Sequence, residues 1–196
     1  MSRKAMIDRK TRETDVHLEL DLDGRGDSNV DTGIPFLDHM LRLLATHGYM
    51  DLDVRAKGDT EIDDHHTVED LGICMGLALK KALGEKRGIR RYGEATLPMD
   101  ETLVRVVMDI CDRPVLCYRV TLERHTSGSF DVGLVREFFR ALVTNAGFTV
   151  HVDLLQGDEP HHIAENIFKA FAKALDQACT LEERSSGRIP STKGLL

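Results

Sequence analysis

The chain carries the same short signature twice. His65-His66-Thr67-Val68-Glu69 and His161-His162-Ile163-Ala164-Glu165 each follow acidic residues, and each opens the last helix-like segment of its half. Upstream, His39-Met40-Leu41-Arg42 stands 26 residues before His65, and Glu137-Phe138-Phe139-Arg140 stands 24 residues before His161. Such a repeat at matched spacing requires the fold to make one arrangement of elements twice, so we read an internal duplication.

The hydrophobic pattern supplies those elements. Val16, Leu18, Leu20 and Leu22 alternate with polar residues as a half-buried strand that ends at Asp23-Gly24, and Met50, Leu52, Val54 and Ala56 alternate as another. Leu37, Met40, Leu41, Leu44 and Ala45 recur at helical spacing over Phe36–His47, with Gly48 just past the end. The segment from Thr67 to Leu83, stopped by Gly84, reads as a second helix. The other half repeats this order after extra strand material at Ala95–Met99, Leu103–Ile110 and Val115–Val120. After the polar break at 125–129 come a helix over Val132–Ala146, a strand over Thr149–Leu155 and an amphipathic helix over Ile163–Ala178. The expected architecture is α+β, with helices packed on one face of each sheet. We expect a single domain made of two pseudo-repeats, about 1–90 and 91–180, with a C-terminal tail over 181–196.

Composition narrows the partners. With 196 residues, 41% of them hydrophobic, and 16 glycines, the chain is long and apolar enough for a globular core. Its formal charge of −7 repels nucleic acid and anionic lipid. Neither a membrane span nor a secretory signal is legible, so a soluble cytoplasmic protein is expected. Cys74, Cys111, Cys117 and Cys179 are scattered without a C-x-x-C spacing, which fits reduced core thiols better than a zinc ribbon or a disulfide framework. Nine histidines beside three tyrosines and no tryptophan are the excess to explain.

Helical geometry turns the repeated signature into chemistry. Residues i and i+4 share a face, so His65 with Glu69, and His161 with Glu165, can each chelate one cation. His66 and His162 are rotated by about 100° from their neighbours and face elsewhere. The duplication suggests that the halves exchange ligands. One metal would take His65, Glu69, His162 and Glu137; the other would take His161, Glu165, His66 and His39. Imidazole with carboxylate and no thiolate suits Mn²⁺, Fe²⁺ or Zn²⁺, and room for further ligands favours six-coordinate Mn²⁺. His17, His47, His125 and His151 are single and unpatterned, although His47 lies two turns along the helix from His39. Arg91, Arg113 and the tail Pro190-Ser191-Thr192-Lys193-Gly194 offer the groups that would hold an anion. A dimetal hydrolase and a metal-assembled or RNA-binding protein are the rival classes, and the negative charge opposes the last of these.

Several linked segments then carry a resemblance across essentially the whole chain. Phe36-Leu37-Asp38-His39-Met40, Asp63-Asp64-His65-His66-Thr67-Val68-Glu69-Asp70, Arg91-Tyr92-Gly93, Pro98-Met99-Asp100-Glu101, the run from His161 to Ala170 and Pro190-Ser191-Thr192-Lys193-Gly194 strongly resemble the imidazoleglycerol-phosphate dehydratase family of histidine biosynthesis. The resemblance implies a tandem duplication of a small β/α half like the second domain of ribosomal protein S5. It also implies two Mn²⁺ ions per active site and a homo-24-mer with sites completed between subunits.

Matched to that pattern, His39, His66, His161 and Glu165 would hold one ion, and His65, Glu69 and His162 the other. Glu137 stands where the family pattern has a histidine before Phe-Phe. Glu13, Glu69 and Glu165 are the implied catalytic acids. Substrate contacts are implied for Glu13, His39, His47, Arg91, Arg113, Lys169, Ser191, Thr192 and Lys193. The implied reaction is loss of water from D-erythro-imidazole glycerol phosphate to give imidazole acetol phosphate. The carbon proton to be lost has no carbonyl beside it, so the expected route is a dimetal-stabilised imidazolate that expels hydroxide to a diazafulvene-like intermediate, with Glu13 moving the proton.

Overall fold

A computed structural model describes residues 3–123, 125–185 and 187–196. The first half runs β1 (Lys4–Lys10), β2 (Thr14–Asp21), β3 (Ser28–Asp31), α1 (Pro35–Gly48), β4 (Asp51–Gly58) and α2 (His65–Leu83). The second runs β5 (Tyr92–Met99), β6 (Thr102–Ile110), β7 (Val115–Arg119), the two-residue strands β8 (Thr126–Ser127) and β9 (Phe130–Asp131), α3 (Leu134–Ala146), β10 (Phe148–Gln156) and α4 (Pro160–Cys179). A 3₁₀ turn at Glu183–Ser185 begins the tail.

Both large sheets are wired alike. Their strand orders are β1-β2-β4-β3 and β5-β6-β10-β7. In each, the first three strands pair antiparallel and the last pairs parallel to its neighbour. The alternation read from the sequence has its physical cause here. Val16, Leu18 and Leu20 on β2, and Val104, Val106 and Met108 on β6, point into the core, while His17, Glu19, Arg105 and Val107 lie on the other face.

The helices lie between the sheets and cross over. α2 packs on β1 and β2, α4 on β5 and β6, α1 on β3 and α3 on β7. The helix pairs that then meet are α2 with α3 and α1 with α4, so each pair combines the two halves. Gly72 and Gly76 on α2 permit the first approach, since a Cβ at Gly72 would stand 2.5 Å from the Phe138 carbonyl oxygen and 2.9 Å from the Ala141 Cβ. Phe138, Phe139, Phe168 and Phe171 fill the space between helices with rings 4.8–5.3 Å apart.

The structure departs from the sequence reading at element ends. The apolar periods start at about Thr67 and at Ile163, whereas α2 begins at His65 and α4 at Pro160, so both His-His pairs sit in a first helical turn, as signatures that open these helices require. α3 begins at Leu134, two residues later than expected. β1 and β3 escaped the pattern because Ala5 and Val30 are the only residues in them that bury fully. Cys74, Cys111 and Cys179 are buried and Cys117 half-buried, all four as free thiols. Burial pushes the Cys74 thiol up to about 11 and the Cys179 thiol up to about 12, so both pack as neutral groups. Among the described residues no helix is long and apolar enough to cross a membrane.

Candidate metal centre and anion cleft

The crossing of α1 and α4 brings three expected ligands together. His39 Nε2 and His161 Nε2 lie 3.2 and 3.3 Å from the same oxygen, Glu165 Oε2. Lys169, one turn further along α4, donates to Glu165 Oε1 at 2.5 Å. Phe36 meets the His161 ring edge-on at 5.3 Å, and Ser127 Oγ lies 3.2 Å from its Nδ1. One donor atom from each of His39, His161 and Glu165 lies within 4.8 Å of the other two. Burial alone would raise the Glu165 pKa, yet its bonds to Lys169 and His39 outweigh that and hold it below the ordinary glutamate value. Two imidazoles and an ionised carboxylate facing one point make a donor set that fits a borderline divalent cation.

A second cluster forms where α2 meets α3. His65 Nε2 is 3.6 Å from Glu69 Oε2, as the i, i+4 spacing requires. Arg140 donates to Glu69 Oε1 at 2.8 Å and to Glu137 Oε2 at 2.7 Å, so it bridges the two carboxylates. Glu137, followed by Glu69, raises the pKa of that guanidinium. His65, Glu69 and Glu137 thus share one neighbourhood, with Arg140 as its cation.

The second histidine of each pair stands apart. His66 Nδ1 faces Asp59 at 3.0 Å, with Glu13 Oε2 at 4.0 Å. His162 Nδ1 faces Glu101 Oε2 at 2.9 Å. Asp59 raises the His66 pKa and Glu101 raises that of His162, because each carboxylate favours the imidazolium. Glu101 is itself drawn down to about 2, chiefly by its bond to His162. Within one subunit neither ring joins the cluster assigned to it from the sequence.

The anion-binding candidates divide between two places. Arg91, Arg113, Ser191, Thr192 and Lys193 line one open cleft of about 930 Å³ between the start of β5, the turn that follows β6 and the tail. Arg91 is fixed on three sides. Its Nε and Nη2 donate to Asp109 at 2.7 and 3.0 Å, and its Nη1 donates to the Pro190 carbonyl at 2.9 Å. The Arg91 backbone has φ +76°, a left-handed value that an arginine seldom adopts, and is tied to Ala178 and Ile110 by hydrogen bonds of 2.9 and 3.1 Å. Arg113 Nη2 reaches Asp109 Oδ2 at 3.5 Å. Lys169 lies instead on Glu165, and His47 stands near it, its pKa lowered first by burial and then by Lys169 and Lys173.

A family profile for imidazoleglycerol-phosphate dehydratase matches residues 32–175, a span that includes His39, His161 and Glu165 and also His65, Glu69 and Glu137. The chain belongs to the imidazoleglycerol-phosphate dehydratase family. A dehydratase of that name from Geobacter sulfurreducens is 57% identical over 196 residues, covering 100% of both chains. One from Aromatoleum aromaticum is 57% identical over 194 residues, covering 99% of this chain and 100% of the relative. The crystal structure of the Staphylococcus aureus dehydratase superposes with a TM-score of 0.83 at 42% identity, covering 91% of this chain and 99% of that one. The Pyrococcus furiosus enzyme, in complex with (S)-C348, gives 0.83 at 36% identity, covering 97% and 100%.

In this family member, sequence reasoning missed the groups that hold the expected site residues. Arg140 was signalled by the alignment of His39-x-x-Arg42 with Glu137-x-x-Arg140, which repeats an arginine three residues on. Asp109 gave no signal, because a lone acid on a strand resembles ordinary surface charge. Asp59 and Glu101 sit in turns, where acids are common for local reasons.

Proposed function

We propose that this chain is the dehydratase of histidine biosynthesis, a lyase that converts D-erythro-imidazole glycerol phosphate to imidazole acetol phosphate. The observation that carries this reading is the convergence of His39, His161 and Glu165 from α1 and α4 on one point. Two Mn²⁺ ions per active site suit the nitrogen and oxygen donors, which include no thiolate. When bound, they would supply Lewis acidity toward the substrate's imidazole and so make an unactivated carbon–hydrogen bond breakable.

The chain's own residues supply the rest. Arg91, Arg113, Ser191 and Lys193 bind the phosphate, with Thr192 beside them and with Asp109 presenting Arg91 in a fixed plane. Three of the five guanidinium donors of Arg91 are already committed, which leaves two for the anion. Glu13, more than half exposed beside His66, is the proton-transfer group. Glu165 and Glu69 serve as ligands, and Lys169 keeps Glu165 charged and in place.

His66 and His162 stand outside the clusters in one subunit, and this supports sites completed between copies in a homo-24-mer. We place the enzyme in the cytoplasm and treat the chain as one domain of two pseudo-repeats, about 1–90 and 91–180, with the tail 181–196.

Incubating the Mn²⁺-loaded protein with imidazole glycerol phosphate is expected to yield imidazole acetol phosphate, with no inorganic phosphate released. Chelation should abolish turnover and Mn²⁺ should restore it. Phosphate release without the ketone would instead assign a metallohydrolase.

A further inference from the structure

We propose that Glu101 is a positioning residue that fixes the ring of His162 so that Nε2 faces a metal ion, with Asp59 doing the same for His66. The proposal rests on the metal-binding reading above.

The geometry behind it begins at the β5–β6 hairpin. Met99 pairs with Thr102, so Asp100 and Glu101 form a two-residue loop, and Asp100 takes the positive φ of +48° that such a tight turn demands. The loop is tied to α4 by Asn166. This buried side chain donates from Nδ2 to the Leu97 carbonyl at 2.8 Å and to the Thr102 carbonyl at 3.4 Å. Asn166 lies four residues after His162, on the same face of the helix. Ring and hairpin are therefore held in one rigid relation.

Within that frame both oxygens of Glu101 are used. Thr102 Oγ1 donates to Oε1 at 2.9 Å, and His162 Nδ1 donates to Oε2 at 2.9 Å. A carboxylate on Nδ1 places the ring proton there and leaves the lone pair on Nε2, the arrangement that makes imidazole a directed and more basic ligand. Nε2 stands 3.9 Å from Asp100 Oδ2, beyond hydrogen-bond reach.

The first half repeats the plan with different parts. Asp70, four residues after His66, accepts bonds from Arg9 on β1 and Thr14 on β2, and so clamps the hairpin that carries Glu13. Glu13 stands just before Thr14, the first residue of β2, as Glu101 stands just before Thr102, the first residue of β6. Here, however, the acid on Nδ1 is Asp59, which presents Oδ2 at 3.0 Å and Oδ1 at 3.2 Å, while Glu13 stays 4.0 Å away. The two halves thus share the orienting bond but separate its source, which leaves Glu13 free for substrate.

Equilibrium Mn²⁺ binding to the assembled protein, read from the electron paramagnetic resonance of free Mn²⁺, tests this directly. Glu101→Ala is expected to weaken one of the two Mn²⁺ sites by about 10–100-fold and leave the other unchanged. Glu101→Gln keeps an uncharged acceptor and should fall between the alanine variant and wild type. Asp59→Ala should weaken the opposite site. Wild-type affinity at both sites in Glu101→Ala would overturn the proposal, as would equal weakening of both sites. If the alanine variant melts early, Glu101→Gln decides: selective weakening of one site supports the proposal, and affinity within twofold of wild type at both overturns it. A wild-type protein that binds two Mn²⁺ but makes no ketone would sink the dehydratase reading alone.

Discussion

Replacing Glu165 with glutamine is expected to lower kcat/KM for dehydration by on the order of 10³-fold and to remove one of two bound Mn²⁺ per subunit. The size follows from how much converges on this one carboxylate. His39 and His161 share its Oε2, and Lys169 takes its Oε1. Glutamine preserves the shape but offers a single neutral oxygen, so it cannot hold a cation and Lys169 together. The substitution also leaves Lys169 without its anion in a partly buried place, a loss of about 1–3 kcal/mol of stability. Metal analysis, a melting curve and steady-state rates on one preparation separate these effects. Activity within tenfold of wild type, with two Mn²⁺ retained, would remove Glu165 from the site.

Substituting Arg91 with alanine should raise KM about 10–100-fold while both Mn²⁺ affinities stay at wild-type values. A charge-assisted hydrogen bond contributes about 1.5–3 kcal/mol, and one such bond to phosphate accounts for that range. Arg91→Lys should rescue little, because an ammonium cannot span Asp109 and the Pro190 carbonyl with the planar fork that Arg91 uses. A second readout needs no substrate. Loss of the Nη1 bond to Pro190 unfastens the tail, so trypsin should cut at Arg188 and Lys193 faster in the variant than in wild type. Unchanged KM with unchanged cleavage would detach the tail cleft from phosphate binding.

Much of this was legible in the chain itself. The alternation on β2, β4, β6 and β10 and the helical spacing on α1 to α4 come from faces that are buried, and burial is what a sequence records best. β1 and β3 were lost because short or edge strands bury too little to impose a period. The apolar period alone starts α2 at Thr67, because His65 and His66 are polar; the signal for the earlier start is the acidic pair before them, and Asp63 Oδ1 accepts from the His65 backbone N–H at 2.8 Å.

The exchange of ligands between halves was partly legible too. Two half-sites that each lack donors, written twice in one chain, suggest a swap. The pairing of α1 with α4 and of α2 with α3 is a packing outcome, set by contacts such as Gly72 against Phe138, and it explains why His39 meets His161 and Glu165. The roles of the orienting acids were not legible, although Glu101 lies in the Pro98-Met99-Asp100-Glu101 segment that carries the family resemblance. Glu101 and Asp59 matter through where the backbone carries them, and one acid in a turn looks like any other until its neighbour is known.

If the proposed function holds, the crossing helices of each subunit contribute ligands to two metal centres that neighbouring copies complete. Anomalous diffraction at the manganese edge, from crystals of the Mn²⁺-loaded assembly, tests it most directly. Two peaks per subunit are predicted: one against His39 Nε2, His161 Nε2 and Glu165, the other against His65 and Glu69, with His66 and His162 supplied from neighbouring copies. A single peak, or peaks away from these side chains, would contradict the account.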